Sequence, residues 1–155
     1  MIKINSIKNY IKMHNEVLES LDQSDLKVAI DLIRDKAFAG KKIAVCGNGG
    51  SAADALHLAA EFSGRFYLNR KALPVEALNV NEAALTAISN DFGFDKIYER
   101  SLESLANSRD ILIAITTSGN SKNISATASK FFLASTVSSA LSNPKLTPLL
   151  SSNIM

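Results

Sequence analysis

The chain has 155 residues, of which 46% are hydrophobic and 21% charged, and its formal net charge is +2. This length and apolar content suit one domain with a single core. The small charge, with basic and acidic residues intermixed, gives no argument for a nucleic-acid or membrane partner. The single cysteine excludes an internal disulfide, and no N-terminal stretch has signal-peptide or membrane-spanning length. These features predict a soluble, cytoplasmic protein.

Two helices are predicted ahead of the first strand. Apolar or half-apolar residues recur from Ile7 to Leu21 at alternating steps of four and three, which is typical of one helix. Asp25 is suited to cap a second helix, which Gly40 ends. We expect this second helix to bury an apolar stripe that consists of Leu26, Ile30, Ile33 and Ala37.

Three strands and three helices are expected to alternate in the middle of the chain. The strand segments have apolar residues on both faces, which is typical of parallel strands covered on two sides. These segments are Lys42 to Cys46, Leu73 to Val80 and Asp110 to Thr116. The helices are expected at about residues 51–63, 81–89 and 94–105. This alternation predicts the α/β class.

The composition changes after residue 124. Residues 125–155 are rich in Ser, Thr, Leu and Ala, but they contain no acidic residue and no glycine. Phe131 to Val137 could add a strand or finish a helix, whereas Pro144 and Pro148 break regular structure. We therefore divide the chain into a domain over residues 1–124 and an atypical tail over residues 125–155, to which no fold is assigned.

A glycine-rich turn follows the first strand, at the edge where open α/β sheets bind their ligands. It reads Gly47-Asn48-Gly49-Gly50, and Ser51 is suited to cap the next helix, with Asp54 completing a capping box. Backbone N–H groups at such a helix start can bind an anion or a polar substrate, but a purely structural turn is as probable. The spacing is not that of a dinucleotide-binding fingerprint.

His57 and Glu61 lie four residues apart on the helix that follows this turn, so their side chains share one face, and Arg65 is expected to continue it. An exposed ion pair is the alternative to a functional cluster. Imidazole and carboxylate groups bind Zn²⁺, but two ligands are fewer than the usual three or four. Further ligands would have to come from elsewhere.

Hydroxyl groups cluster after the third strand, in Thr116-Thr117-Ser118-Gly119-Asn120-Ser121. Because helix N-termini attract anions and hydroxyls add donors, this segment predicts a phosphate site. A Ser/Thr turn that only caps the next helix is the alternative, and no Walker loop is present. For Asp91, a helix cap and contact with a polyhydroxylated substrate both remain open, the cap being slightly favoured.

Three motifs, taken together, resemble the sugar-isomerase (SIS) domain of phosphoheptose isomerases. They are G-N-G-G-S-A-A-D-A-L-H-L-A-A-E-F-S-G-R from Gly47, N-D-F-G-F from Asn90 and T-T-S-G-N-S-K-N-I from Thr116. The resemblance extends to about Ile124 and implies a flavodoxin-like three-layer sandwich with a parallel sheet. It also implies a zinc ion and a homotetramer with active sites at subunit contacts.

The implied reaction converts sedoheptulose 7-phosphate to D-glycero-D-manno-heptose 7-phosphate through an enediol, for lipopolysaccharide or other surface-polysaccharide synthesis. By the same resemblance, His57 and Glu61 would be zinc ligands, and Glu61 would also bind substrate and transfer the proton. The residues expected to contact the sugar are Asn48, Gly49, Gly50, Ser51, Asn90 and Asp91. Those expected to bind its phosphate are Thr116, Thr117, Ser118 and Ser121.

The chain departs from the family pattern at its C-terminal end. The family continues with two strands and a helix whose Gln and His complete the metal site, but here no Gln follows Gln23 and no His follows His57. We therefore expect the C-terminal part of the fold to be missing or altered by an out-of-frame ending. The third strand would then lie near a sheet edge, and folding or activity would be impaired.

A second class of function fits the same resemblance. Some SIS-domain proteins bind a partner without catalysis, as the replication-initiation regulators do, and such a protein needs no metal. Zinc content therefore separates an isomerase from a binding protein.

Overall fold

The computed structural model describes residues 7–139, with side-chain surroundings up to residue 131. The chain divides into two units, Met1–Asp35 and Lys36–Met155. Among residues 7–139, no helix combines the length and hydrophobicity needed to span a membrane.

The first unit holds helix α1, Ile7–Glu19, and most of helix α2, Gln23–Phe38. Both helices are where the sequence predicts them, but the cap is Asp22 rather than Asp25. The Asp22 carboxylate accepts hydrogen bonds from the backbone N–H of Ser24 at 2.8 Å and of Asp25 at 3.4 Å. The helix therefore begins earlier than Asp25 would allow.

The predicted burial of the α2 stripe is wrong for all but its last residue. Leu26 and Ile30 are exposed and Ile33 is half-buried, whereas Ala37 is buried. Two helices offer too little apolar surface to enclose such a stripe between them. The end of α2 is as expected, because Gly40, at a φ of +69°, donates to the Ala37 carbonyl while Lys41 donates to that of Lys36.

The second unit is built on a parallel sheet of three described strands in the order β2-β1-β3. These are β1, Ile43–Gly47; β2, Val75–Ala77; and β3, Ile111–Ile115. Ile43 pairs with Val75 on one side and with Ile111 on the other. All five residues of β1 are buried, as its apolar character on both faces predicts. The sheet confirms the α/β prediction.

Four helices and one 3₁₀ turn connect or follow these strands. They are α3, Gly50–Ser63; α4, Glu82–Phe92; the 3₁₀ turn Phe94–Lys96; α5, Ile97–Leu105; and α6, Lys122–Ser139. Helix α6 continues past residue 124, so Phe131 to Val137 belongs to a helix, one of the two predicted alternatives. The rest of the tail, residues 140–155, lies outside the described residues. The domain boundary at residue 124 stays a prediction.

Helices cover both faces of β1, which gives the expected three-layer arrangement. One core cluster contains Ala44 and Cys46 of β1 with Tyr98 and Leu102 of α5 and Ile124 of α6. Helix α3 packs against β1 and β2 and contributes nothing to that cluster, so it covers the opposite face. Within the described sheet, β3 lies at an edge, and Ile111 is its one buried residue.

Candidate active site

The glycine-rich turn leaves β1 at its carboxyl end and enters α3 without a side-chain cap. The N-cap is Gly49, at a φ of +55°, and no side chain bonds to the free N–H groups there. The predicted Ser51 cap and its capping box with Asp54 are therefore wrong. Because the left-handed Gly49 starts the helix early, Ser51 is already inside the first turn, where it is buried. Its backbone N–H donates to the Asn48 carbonyl at 3.0 Å.

A buried tyrosine holds the end of β1. The Tyr98 hydroxyl, from α5, donates a hydrogen bond to the Gly47 carbonyl. Burial raises the pKa of Tyr98, with the neighbouring Cys46 as a smaller cause, so the phenol stays protonated as a donor. Tyr98 was not predicted from the sequence, because no local pattern indicates a contact between residues 51 positions apart.

The hydroxyl-rich segment after β3 forms a loop that bonds to itself. The Thr116 hydroxyl lies 3.2 Å from that of Ser121 and 3.5 Å from that of Ser118. The Ser118 hydroxyl accepts the Asn120 N–H at 3.2 Å, and Gly119 makes the turn at a φ of +69°. Three of the four predicted phosphate-binding residues thus lie together ahead of α6. The fourth, Thr117, is exposed beside them.

A pair of amides joins the glycine-rich turn to this loop. Asn48 donates to the side-chain oxygen of Asn123 at 2.8 Å, and Asn123 donates to that of Asn48 at 2.9 Å. Asn123 is the second residue of α6, two positions after Ser121. The structure therefore brings two of the predicted site segments together, at the carboxyl ends of β1 and β3. Asn123 lies in the third motif, but its contact with Asn48 was not predicted from the sequence.

The His57 imidazole and the Glu61 carboxylate share one face of α3, as predicted. Their nearest atoms, Nε2 and Oε1, are 3.5 Å apart, and the side chains are 78% and 35% exposed. Arg65 does not continue this face, because α3 ends at Ser63 and Gly64 turns the chain away. Within residues 7–139, no group of three or more His, Cys, Asp or Glu side chains is placed to hold a metal.

Asn90 and Asp91 lie in the last turn of α4 and are exposed. The Asn90 amide donates to the Asp91 carboxylate at 3.0 Å. Asp91 does not cap the next helical segment, whose N-cap is Gly93, so the slightly favoured cap is wrong. Among the described residues, no hydrogen bond links Asn90 or Asp91 to the glycine-rich turn or the hydroxyl loop. Contact with substrate stays a prediction.

Comparisons with known proteins agree with this arrangement. The SIS domain family matches residues 8–131. The phosphoheptose isomerase of Campylobacter concisus is 48% identical over 120 residues, which are 76% of this chain and 64% of that protein. The enzyme of the same name from Geotalea daltonii is 46% identical over 124 residues, 78% of this chain and 65% of its own length. The chain thus spans slightly less than two thirds of these relatives.

Two solved structures share the fold. The phosphoheptose isomerase of Neisseria gonorrhoeae superposes with a TM-score of 0.71 at 32% identity, covering 84% of this chain and 71% of that one. The phosphoheptose isomerase of Francisella tularensis gives a TM-score of 0.77 at 31% identity, over 87% and 72%. The chain belongs to the SIS domain family, and its place there is with the phosphoheptose isomerases.

Proposed function

We propose that this chain is an aldose–ketose isomerase that acts on sedoheptulose 7-phosphate and gives D-glycero-D-manno-heptose 7-phosphate. One observation supports this proposal most. The hydroxyl loop at residues 116–121 and the glycine-rich turn at residues 47–51 are joined by the Asn48–Asn123 amide pair. The two segments that we assign to the phosphate and the sugar thus lie together at one edge of the sheet, and relatives that are 48% and 46% identical to this chain are named phosphoheptose isomerases.

The hydroxyl loop would bind the phosphate of the substrate. The hydroxyls of Ser118 and Ser121 each lie within 3.5 Å of the Thr116 hydroxyl ahead of α6, where the first backbone N–H groups of a helix lack acceptors within the helix. The neutral hydroxyl donors and the helix dipole favour binding of an anion, so a lysine side chain is not required at this site. Binding the phosphate there fixes the distance to the reacting carbons, which lowers the entropic part of the barrier.

The reaction itself requires a base and an acid. A proton leaves C1, an enediol forms, and a proton is added at C2, so that the carbonyl moves from C2 to C1. We assign the proton transfer to Glu61, whose carboxylate is accessible on α3. The backbone N–H and C=O groups of the glycine-rich turn, with Asn90 and Asp91, would contact the sugar hydroxyls.

Zinc binding is proposed for His57 and Glu61. Nitrogen and oxygen donors of these types suit Zn²⁺, and the two side chains are accessible on one helix face and 3.5 Å apart. They supply only part of a ligand set, so the remaining ligands come from another segment or another subunit. A bound zinc would stabilise the negative charge that develops on the enediolate oxygen.

The remaining proposals concern the protein's surroundings. We propose a cytoplasmic homotetramer that supplies a heptose phosphate for lipopolysaccharide or other surface-polysaccharide synthesis. Helix α1 supports self-association, because none of its residues is buried although it carries several large apolar side chains.

An out-of-frame ending stays a hypothesis for the tail. The family match extends to residue 131, beyond Ile124, and Phe131 packs against the core cluster. Any altered segment therefore starts later than the composition suggests. The coding DNA decides the question, because a neighbouring frame should encode a glycine-rich loop and a helix with Gln and His.

A non-catalytic binding protein is the second candidate function. The observation in its favour is that residues 7–139 place no third His, Cys, Asp or Glu beside His57 and Glu61. Such a protein would bind a partner without catalysis, as the replication-initiation regulators do, and would not need the metal.

The test measures zinc content and turnover of sedoheptulose 7-phosphate in the purified 155-residue chain and in H57A and E61A. For an isomerase, both variants lose zinc, and turnover falls by about 100-fold or more. Asp54→Ala is the control, since Asp54 is an exposed carboxylate on the same helix. Wild-type protein that binds the sugar phosphate without zinc or turnover would favour the binding protein.

A further inference from the structure

The amide pair between Asn48 and Asn123 has only one orientation. The side-chain oxygen of Asn123 accepts the backbone N–H of Ile124 at 3.0 Å as well as the Asn48 amide at 2.8 Å. A backbone N–H can only donate, so this contact identifies the oxygen of Asn123 and leaves its NH₂ group facing Asn48. The reciprocal bond then sets the orientation of the Asn48 amide.

Asn123 is itself held rigidly. Its exposed fraction is 2%, and its backbone carbonyl accepts the hydroxyl of Thr127 at 2.7 Å, one helical turn further along α6. Thr127 is fully buried. A buried side chain whose amide oxygen accepts two hydrogen bonds and whose NH₂ group donates one has little freedom to rotate. Asn123 is therefore a fixed support for its partner.

Asn48 keeps part of its hydrogen-bonding capacity. An amide has two N–H donors and two oxygen lone pairs, and the pair with Asn123 uses one of each. Among the described residues, no other group bonds to the Asn48 side chain. It is half-buried in the turn, so its second N–H and second lone pair are left for a ligand in an orientation that Asn123 imposes.

We infer that Asn123 is a positioning residue, which orients the Asn48 amide toward the sugar and couples the glycine-rich turn to the hydroxyl loop. It does this without touching the substrate. This inference rests on the proposed function for the identity of the ligand, but the control of Asn48 by Asn123 is a property of the ligand-free protein. The two parts can be measured separately.

The first measurement follows the side-chain amide protons of Asn48 by NMR in the ligand-free 155-residue chain. In Asn123→Ala these protons are expected to exchange with water at least about tenfold faster, because both bonds of the pair are lost. Asn123→Asp keeps the acceptor and loses the donor, so it gives an intermediate rate. Thr127→Val is the control, since it removes a buried hydrogen bond from the same helix and leaves the amide pair intact.

The second measurement titrates sedoheptulose 7-phosphate into wild type, N48A, N123A and the double variant. If Asn123 acts by positioning Asn48, Asn123→Ala should weaken sugar-phosphate binding by about tenfold when Asn48 is present. It should have little further effect when Asn48 has already been replaced by alanine. Equal effects in both backgrounds would mean that Asn123 acts only on the general structure. That outcome, or unchanged Asn48 exchange in Asn123→Ala, would overturn the inference.

The two proposals fail in different ways. If the wild type binds no sugar phosphate while Asn123→Ala still releases the Asn48 amide, the proposed function is wrong and the control of Asn48 by Asn123 is upheld. If the wild type binds and turns over the sugar but the Asn48 amide is unaffected, the proposed function is upheld and the positioning role is wrong.

Discussion

Gly47 shows how a single residue type shapes the site. A Cβ atom built at this position would lie 2.4 Å from the Ser51 carbonyl oxygen and 2.6 Å from the Ser51 carbonyl carbon. Both atoms belong to the backbone of the first turn of α3 and cannot rotate away. The turn therefore approaches the end of β1 closely only because Gly47 has no side chain.

Replacing this glycine should disturb both stability and the site. In Gly47→Ala, the start of α3 must move, and the bond from Tyr98 to the Gly47 carbonyl is strained. We expect a loss of about 3 kcal/mol in the free energy of unfolding, measured by urea denaturation. Gly50→Ala is the matched control, because its Cβ would meet nothing within 4 Å. Equal stability of the two variants would contradict the close approach.

The buried thiol of Cys46 makes the free energy of unfolding depend on pH in the alkaline range. Burial raises the pKa of its thiol from an ordinary 9.0 to about 12. The folded state therefore keeps a proton that the unfolded state loses, so this contribution to stability is complete below pH 9.0 and decreases as the pH rises toward 12. The thiol is 0% exposed and packs in the core cluster, which indicates a structural role.

The measurement compares urea unfolding of wild type and Cys46→Ala at several values between about pH 8 and pH 10.5. The wild type should lose stability more steeply above pH 9.0, by up to about 1.4 kcal/mol per pH unit more than the variant. Tyr98 titrates in both proteins, and because Cys46 contributes to its raised pKa, the difference in slope reports the thiol together with its interaction with Tyr98. If the two pH profiles were parallel, burial would not raise the pKa of the Cys46 thiol.

At the scale of elements, the C-terminal end of α3 depends on an arginine beyond the helix. The Arg70 guanidinium donates to the carbonyls of Glu61 at 2.9 Å and Phe62 at 2.8 Å. It also donates to those of Gly64 and Lys71. The carbonyls of Glu61 and Phe62 have no partner within the helix, although that of Phe62 also accepts the Leu73 N–H at 3.1 Å, and a cation there suits the helix dipole. The last turn of α3, which carries Glu61, is thereby anchored.

Arg70→Met should lower the free energy of unfolding by about 2 kcal/mol, because several carbonyls lose a charged donor. Thermal or urea unfolding measures the loss. Lys71→Met removes an exposed charge from the next position and is expected to have little effect. If Arg70→Met were as stable as this control, the guanidinium contacts would contribute nothing.

The helix ends were also where sequence reasoning failed. Asp25 and Ser51 are good capping residues by type, yet Asp22 caps α2 and Gly49 starts α3 without a side-chain cap. A cap depends on where the preceding loop turns into the helix, and a difference of two or three residues places the expected capping residue inside the first turn. The order and type of the helices and strands were predicted correctly, since their apolar periodicity extends over many residues. The second strand, predicted over Leu73 to Val80, is shorter than expected and spans only Val75–Ala77.

For the whole molecule, the exposed apolar residues of the N-terminal helices are the observation on which the proposed self-association rests. In α1 these include Ile7, Ile11, Val17 and Leu18, and in α2 they include Leu26 and Ile30. Apolar stripes of this size are covered by a partner surface in most soluble proteins. We propose that a second copy of this chain covers this surface, in line with the proposed homotetramer.

Light scattering or sedimentation of the purified chain should therefore show an oligomer. Leu18→Asp places a charge in the stripe and should shift the distribution to smaller species. Lys8→Ser alters an exposed polar position on the same helix and should leave it unchanged. A wild-type chain that is monomeric at micromolar concentration would contradict the proposal.

The fold class, the order of the elements and the two loops of the candidate site followed from the sequence, because apolar periodicity, Gly-rich turns and hydroxyl clusters are local patterns. Tertiary structure alone decided which distant groups meet. It decided that Asn48 bonds to Asn123, that Tyr98 donates to the Gly47 carbonyl and that Arg70 donates to carbonyls at the end of α3. Each contact joins elements through the packing of the sheet and its helices. Amide, phenol and guanidinium groups have many possible partners, and only their positions in the folded chain select one.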